Sequence, residues 1–246
     1  MDWKEQKGLS ILVIIIIAFL AWLLVIGTGN LLLGDERVFM ALNPGKGNPT
    51  AFDTFFIYFS CWGPGDFGLG TYLFIVFALI LLGLSFKFTS LRPMRFILIL
   101  IVVGLIIGYL GITTVIKNII LRDRPFMDPG LLSNADDWVP LYYSGSEPIA
   151  IFGGESFPSG HATTAFIFAT PFMLLYKKYW IQISAAAYGV LMGYARIFLG
   201  VHFPLDVFVG SLIGILTVYV FYLVFKKYLL PKMPWFQYED TKEIVK

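Results

Sequence analysis

Three stretches of this 246-residue chain carry side chains suited to handling a phosphate ester. The run Lys117-Asn118-Ile119-Ile120-Leu121-Arg122-Asp123-Arg124-Pro125 gathers three cations at the end of an apolar segment. Lysine supplies a compact charge, and arginine supplies a planar fork for two phosphate oxygens. Pro125 restricts Arg124 to extended backbone and ends any helix before it. The run Pro158-Ser159-Gly160-His161 immediately precedes another apolar segment. Ser159 there is a natural helix N-cap, and the open N–H groups beside it, with the Gly160 N–H, form a nest for an anion. The third stretch runs from Arg196 to Asp206, with His202 and Asp206 four residues apart. Asp206 can accept a hydrogen bond from one imidazole nitrogen of His202, which fixes the tautomer and directs the other nitrogen at phosphorus.

The chain has only two histidines, and both fall in these stretches. A histidine at the start of an apolar span is expensive unless it is paired or useful. His202, His161 and Asp206 are therefore the candidate catalytic residues. Lys117, Arg124, Ser159, Gly160 and Arg196 are the candidate phosphate ligands, with Arg122 and Pro158 as auxiliaries. Arg122 weighs equally as an ordinary cation at the headgroup level. No metal-ligand motif and no cofactor motif is present. Phosphate chemistry is the leading reading; an anionic-lipid binding site without turnover, or a transporter, stays open.

The elements that must hold these residues are apolar. Hydrophobic residues make up 58% of the chain and charged residues 14%, against about 25% charged in soluble domains. Runs long enough to approach a bilayer's span of about 20 residues recur along the sequence. The expected spans are 9–33, 67–86, 96–117, 161–176, 180–196 and 204–225, within a single polytopic domain of residues 1–246. The first is read as an uncleaved span, because it exceeds a usual signal-peptide core and no Ala-x-Ala site follows. Apolar residues at 38–42 and 51–59 suit two short interfacial helices after it. The single cysteine, Cys61, excludes an internal disulfide. The connection 126–157 is long enough to be a substrate-facing lid or a plain tether.

With six spans the 18 basic residues divide 12 to 6, and the richer side holds both termini. That side is expected in the cytoplasm, which leaves the three motif stretches facing the periplasm or exterior of a multi-pass cell-membrane protein.

Together the three stretches resemble the signature of the type 2 phosphatidic acid phosphatase (PAP2) superfamily: Lys, six residues, Arg-Pro; Pro-Ser-Gly-His; Ser-Arg, five residues, His, three residues, Asp. Lys117 to Pro125, Pro158 to His161, and Arg196, His202 and Asp206 match at those spacings. One departure is Ala195, where the family usually has serine. The resemblance implies an all-α integral membrane protein, a six-helix PAP2-like bundle. It implies hydrolysis of a lipid phosphomonoester or diphosphate without a metal, through a phosphohistidine on His202, with His161 as proton donor. Undecaprenyl or other polyprenyl diphosphate and phosphatidylglycerol phosphate lead the substrates, followed by phosphatidic acid and diacylglycerol pyrophosphate. The implied partners are that lipid substrate and bilayer lipids, with no nucleic acid and no obligate protein partner. Vanadium haloperoxidases share the signature, but they are soluble, unlike this apolar chain.

Overall fold

A computed structural model describes residues 31–43, 50–61, 69–127, 142–143, 147–148, 155–229 and 232. The described part is helical: α1 (Leu31–Leu42), α2 (Ala51–Cys61), α3 (Leu69–Lys87), α4 (Arg95–Val103), α5 (Thr114–Ile120), α6 (Gly160–Leu175), α7 (Tyr179–Phe198) and α8 (Pro204–Val224). A π-helical stretch, Gly104–Thr113, joins α4 to α5, and another, Phe225–Leu229, extends α8. Two-residue strands Tyr142–Tyr143 and Glu147–Pro148 pair antiparallel. The expected span 9–33 lies outside the described residues except for 31–33, as does most of the expected lid 126–157.

Among the described residues, two stretches, Arg95–Met127 (helical as far as Ile120) and Pro204–Leu229, are long and apolar enough to cross a membrane. The apolar helices 75–87 and 160–175 are shorter. Large apolar side chains face outward on several helices, among them Phe77, Ile80, Ile119, Trp180, Val190 and Val220. The inner core is built from Phe96, Ile97, Leu100 and Leu105 on one side, with Ile167 and Val218 against them.

Glycines decide how closely the central helices approach. A Cβ on Gly210 of α8 would sit 2.4 Å from the Ser159 carbonyl oxygen, and one on Gly214 would sit 2.5 Å from that of Thr163. This seam of small residues four apart brings two backbones together, a packing mode common in apolar bundles. Within the π stretch the hydrogen-bond register is visible in the side chains as well. Thr113 and Thr114 donate to carbonyls five residues back, Gly108 at 2.9 Å and Tyr109 at 3.2 Å. Thr113 Oγ1 also reaches Thr163 Oγ1 of α6 at 3.2 Å, tying this stretch to the helix that starts at the second motif.

Two sequence expectations change in detail. The helix carrying Lys117 does not end there; it continues to Ile120 and stops where Leu121 turns left-handed, at φ 40°. Arg122 to Arg124 therefore form a separate non-helical segment. The first short helix starts earlier than position 38, at Leu31, and both short helices pack onto the bundle. Phe39 of α1 meets Phe203 with ring centroids 5.4 Å apart, and Phe56 of α2 meets Phe198 at 4.6 Å. Their apolar faces find partners at the α7–α8 junction.

Gly210→Ala forces a methyl into the Ser159 backbone, and overpacking of this kind costs about 1–3 kcal/mol. The melting temperature in detergent is expected to fall by several degrees. Gly83→Ala, with nothing within 4 Å of the added carbon, is expected not to lower it, since alanine is the better helix former. Equal melting temperatures for the two variants would contradict this packing.

Candidate active site

Hydrogen bonds knit the three motif stretches together. The Ser159 N–H donates to the Asp206 carbonyl oxygen at 2.9 Å, which seats the head of α6 on the head of α8. The Ser156 N–H donates to the Arg122 carbonyl oxygen at 2.7 Å, and Lys117 Nζ donates to the Glu155 carbonyl oxygen at 2.5 Å. The first stretch is thus stitched to the lead-in of the second. Ser159 caps α6 by accepting from the Ala162 N–H at 3.4 Å. Gly160 begins that helix, followed by His161. Pro158 is buried behind a cis Phe157–Pro158 bond.

His202, His161, Asp206, Ser159, Gly160, Arg124 and Arg196 are all buried, while Lys117 is half-buried. Gly200, at φ 70°, makes the turn that ends α7 and returns the His202 N–H to the Arg196 carbonyl oxygen at 3.3 Å. Arg196 itself donates from Nη1 to Ser60 Oγ at 2.5 Å, a partner contributed by α2. Ala195 is buried in an apolar cluster with Phe56, Ile57, Phe198, Leu199 and Val201, so a methyl suits the position.

The relation of His202 to Asp206 differs from the simple pair that their spacing implies. His202 Nδ1 lies 3.6 Å from Asp206 Oδ2, beyond a good hydrogen bond. Ser156 sits between them. Its Oγ is 3.3 Å from His202 Nδ1, and its hydroxyl donates a very short bond to Asp206 Oδ2. The reason is that His202 precedes α8, which starts only at Pro204, so the two residues do not share one helical face. Nδ1 is turned toward Ser156 and Asp206, which leaves Nε2 on the opposite edge of the ring.

Asp206 is held from every side. Oδ2 also accepts from the Phe203 N–H at 2.8 Å, closing the first turn of α8, and Oδ1 accepts from Arg122 Nη1 at 2.7 Å. Arg122 is therefore not directed solely at a phosphate. Its other terminal nitrogen, Nη2, pairs with Asp35 Oδ2 at 2.8 Å, and its Cζ lies 3.9 Å from the centre of the Phe203 ring. Asp35 Oδ1 in turn accepts from the Leu205 N–H at 2.8 Å. Among the described residues, no group of three or more His, Cys, Asp or Glu converges to hold a metal.

Three participants escape sequence reasoning: Ser156, Asp35 and Ser60. Ser156 stands two residues before Pro158, close enough to the motif to have been considered. Asp35 and Ser60 lie far away in the chain and carry no spacing signal.

Residues 94–229, more than half of the chain, match the family model of the PAP2 superfamily, and the chain belongs to that superfamily. It is 35% identical over 116 residues to a lipid A 1-phosphatase of Rhizobium johnstonii, a match covering 45% of this chain and 42% of that protein. Matches to the first curated relatives span only 33% and 42% of their length. Among solved structures, Aquifex aeolicus LpxE is 27% identical with a TM-score of 0.50, covering 75% of this chain and 92% of its own. A transmembrane PAP2-type phosphatidylglycerolphosphate phosphatase from Bacillus subtilis shares the fold. It has a TM-score of 0.57 at 21% identity, and the match covers 93% of this chain and 99% of that one.

Burial raises the Asp35 carboxyl from its ordinary 3.8 to about 6, with Arg122 and the Leu205 N–H opposing the rise. A folded-state value above the unfolded one means that protonation favours the fold. This contribution is complete below the unfolded value and is lost as pH rises through about 6. Asp35→Asn mimics the neutral form and keeps the Oδ1 acceptor. The melting temperature of this variant relative to the unmodified protein is expected to climb between about pH 4 and pH 7. A difference that stays flat over that range would contradict the burial of this carboxylate.

Proposed function

We propose that this protein is a multi-pass membrane lipid phosphatase that works without a metal, through a phosphohistidine on His202. The observation that carries the reading is the buried His202–Ser156–Asp206 array, set where the three signature stretches meet. A lone anion-binding pocket has no need of an imidazole held through one nitrogen by a serine and a carboxylate.

In this mechanism His202 Nε2 attacks phosphorus in line with the leaving oxygen. The P–O bond breaks as a P–N bond forms, and His161 delivers a proton to the leaving oxygen. Asp206 and Ser156 hold the ring and offset the positive charge that develops on it. Lys117, Arg124, Arg196, the Ser159 hydroxyl and the Gly160 N–H stabilise the equatorial oxygens. In the second half, His161 takes a proton from water, water attacks phosphorus, and the P–N bond breaks. Inorganic phosphate leaves and both histidines are restored.

The site lies at the ends of apolar helices whose outer surfaces carry large hydrophobic side chains. A lipid substrate fits that setting, with its chains remaining in the bilayer and its phosphate at the helix ends. Relatives act on different lipids by name: lipid A, undecaprenyl diphosphate and phosphatidylglycerophosphate. We favour a polyprenyl diphosphate or phosphatidylglycerol phosphate, with phosphatidic acid and diacylglycerol pyrophosphate next. Six spans, cytoplasmic termini and a site facing the periplasm or exterior complete the reading, which the excess of basic residues on the terminal side supports.

Phosphate release from a panel of these lipids in detergent or vesicles tests the activity and selects the substrate. His202→Ala is expected to abolish both turnover and covalent labelling by radioactive phosphate, and turnover is expected to persist in chelator. Undiminished release by H202A would overturn the nucleophile, and inactivity in chelator would overturn the metal-free mechanism.

A further inference from the structure

Arg122 belongs to the basic run of the first motif, where a phosphate ligand would be the natural reading. Its surroundings point elsewhere. One terminal nitrogen is bonded to Asp206 at 2.7 Å and the other to Asp35 at 2.8 Å, and the Phe203 ring lies across the guanidinium face. The Arg122 carbonyl oxygen also holds the Ser156 N–H, and Ser156 in turn bridges His202 and Asp206. A phosphoryl dianion brought to this guanidinium would meet two carboxylates already there.

We propose that Arg122 is a positioning residue that clamps Asp206 and Ser156 for His202, and that Asp35 restores the negative charge this clamp would otherwise cancel. The proposal rests on the phosphohistidine reading. Its logic is charge arithmetic. Arg122 and Asp206 alone form a neutral pair, which does little for a cation developing on His202. With Asp35 ionised, one arginine and two carboxylates carry a net charge of −1, and the field at the imidazole is anionic again. Each group also has a mechanical part. Arg122 bonds both Asp206 and the backbone of the Ser156 segment, and Asp35 pins α1 to the Leu205 N–H at the start of α8. Other titratable or cationic groups in the described part of the site are Asp123 and Glu155, beside Arg122 and Ser156 in the chain, His161 on α6, Arg196 on α7, Lys117 on α5 and Arg124. The reading assigns the last three to the phosphate. Burial drives the Asp35 carboxyl up to about 6, so its charge is present above that pH and is held there at a cost to stability.

The test uses the full chain in detergent, with the lipid phosphate that the unmodified protein turns over. Arg122→Gln, Arg122→Lys, Asp35→Asn and the double variant D35N/R122Q are compared, with inorganic phosphate as the competing ligand. R122Q is expected to lower kcat about tenfold or more while the inhibition constant for phosphate stays within about threefold. R122K keeps the charge without the two-way fork, and it is expected to recover only part of kcat. The acidic limb of kcat/KM reports the imidazole that must be neutral to attack. It is expected to move down in pH in D35N, where the cluster becomes neutral, and up in R122Q, where the net charge becomes −2. The double variant should lie between them, with kcat still low.

An inhibition constant raised about tenfold or more in R122Q, with an unmoved limb, would make Arg122 a phosphate ligand and overturn the proposal. Limbs moving in the same direction in both single variants, or a lowered kcat with no movement in either, would also overturn it, the latter by showing a merely structural role. Failure of the phosphohistidine reading registers separately, as unmodified protein that turns over without label on His202, and removes this proposal with it.

Discussion

The site depends on one buried carboxylate. A fully buried charge is tolerated only when its oxygens are satisfied by good donors, and removing a partner from such a group typically costs several kcal/mol. Asp206 meets that demand with four contacts from three places: Arg122, Ser156, the Phe203 N–H and the nearby His202 ring. Satisfying this one group pulls the segment after α5, the lead-in to α6 and the head of α8 to the same point. The same residue's carbonyl oxygen accepts from the Ser159 N–H, so the head of α6 is referenced to it as well.

Close backbone packing makes this arrangement possible. Gly210 and Gly214 let α8 lie directly on α6, and bulkier residues at those positions would strike the Ser159 and Thr163 carbonyl oxygens. Separation of those helices would move Ser159 away from Asp206. The π stretch Gly104–Thr113 places its own glycines against the same pair, with a Cβ on Gly104 falling 2.7 Å from Ile167. Helical irregularities of this kind often coincide with functional regions. Here the irregular stretch lies in the element that continues to Lys117.

Much of this was readable from residue types and spacing. Apolar runs announced a helical protein. Two histidines confined to Ser-Gly and Arg…Asp contexts point to phosphate chemistry, because such residues at the ends of apolar segments have few structural uses, and the three-part signature resembles that of the PAP2 superfamily. What could not be read was long-range. Asp35 is one of two adjacent acids, with Glu36, in a short helix, and nothing local ties it to Arg122 or Leu205. The helix continuing past Lys117 to a left-handed Leu121 was hidden because a leucine with positive φ has no sequence signature. Spacing suggested a direct His202–Asp206 bond, and Pro204 starts the helix too late for one, which leaves room for Ser156. The π register of Gly104–Thr113 has no signature in helical periodicity.

The central claim is that Asp206 gathers three distant stretches around one anion facing His202. An experimental structure with orthovanadate, which mimics phosphorus at the midpoint of transfer, tests it most directly. The account predicts vanadium bonded to His202 Nε2, oxygens held by Lys117, Arg124 and Arg196, and Arg122 still bridging Asp206 and Asp35. Vanadate bound away from His202, or held by an Arg122 that has released Asp206, would contradict it.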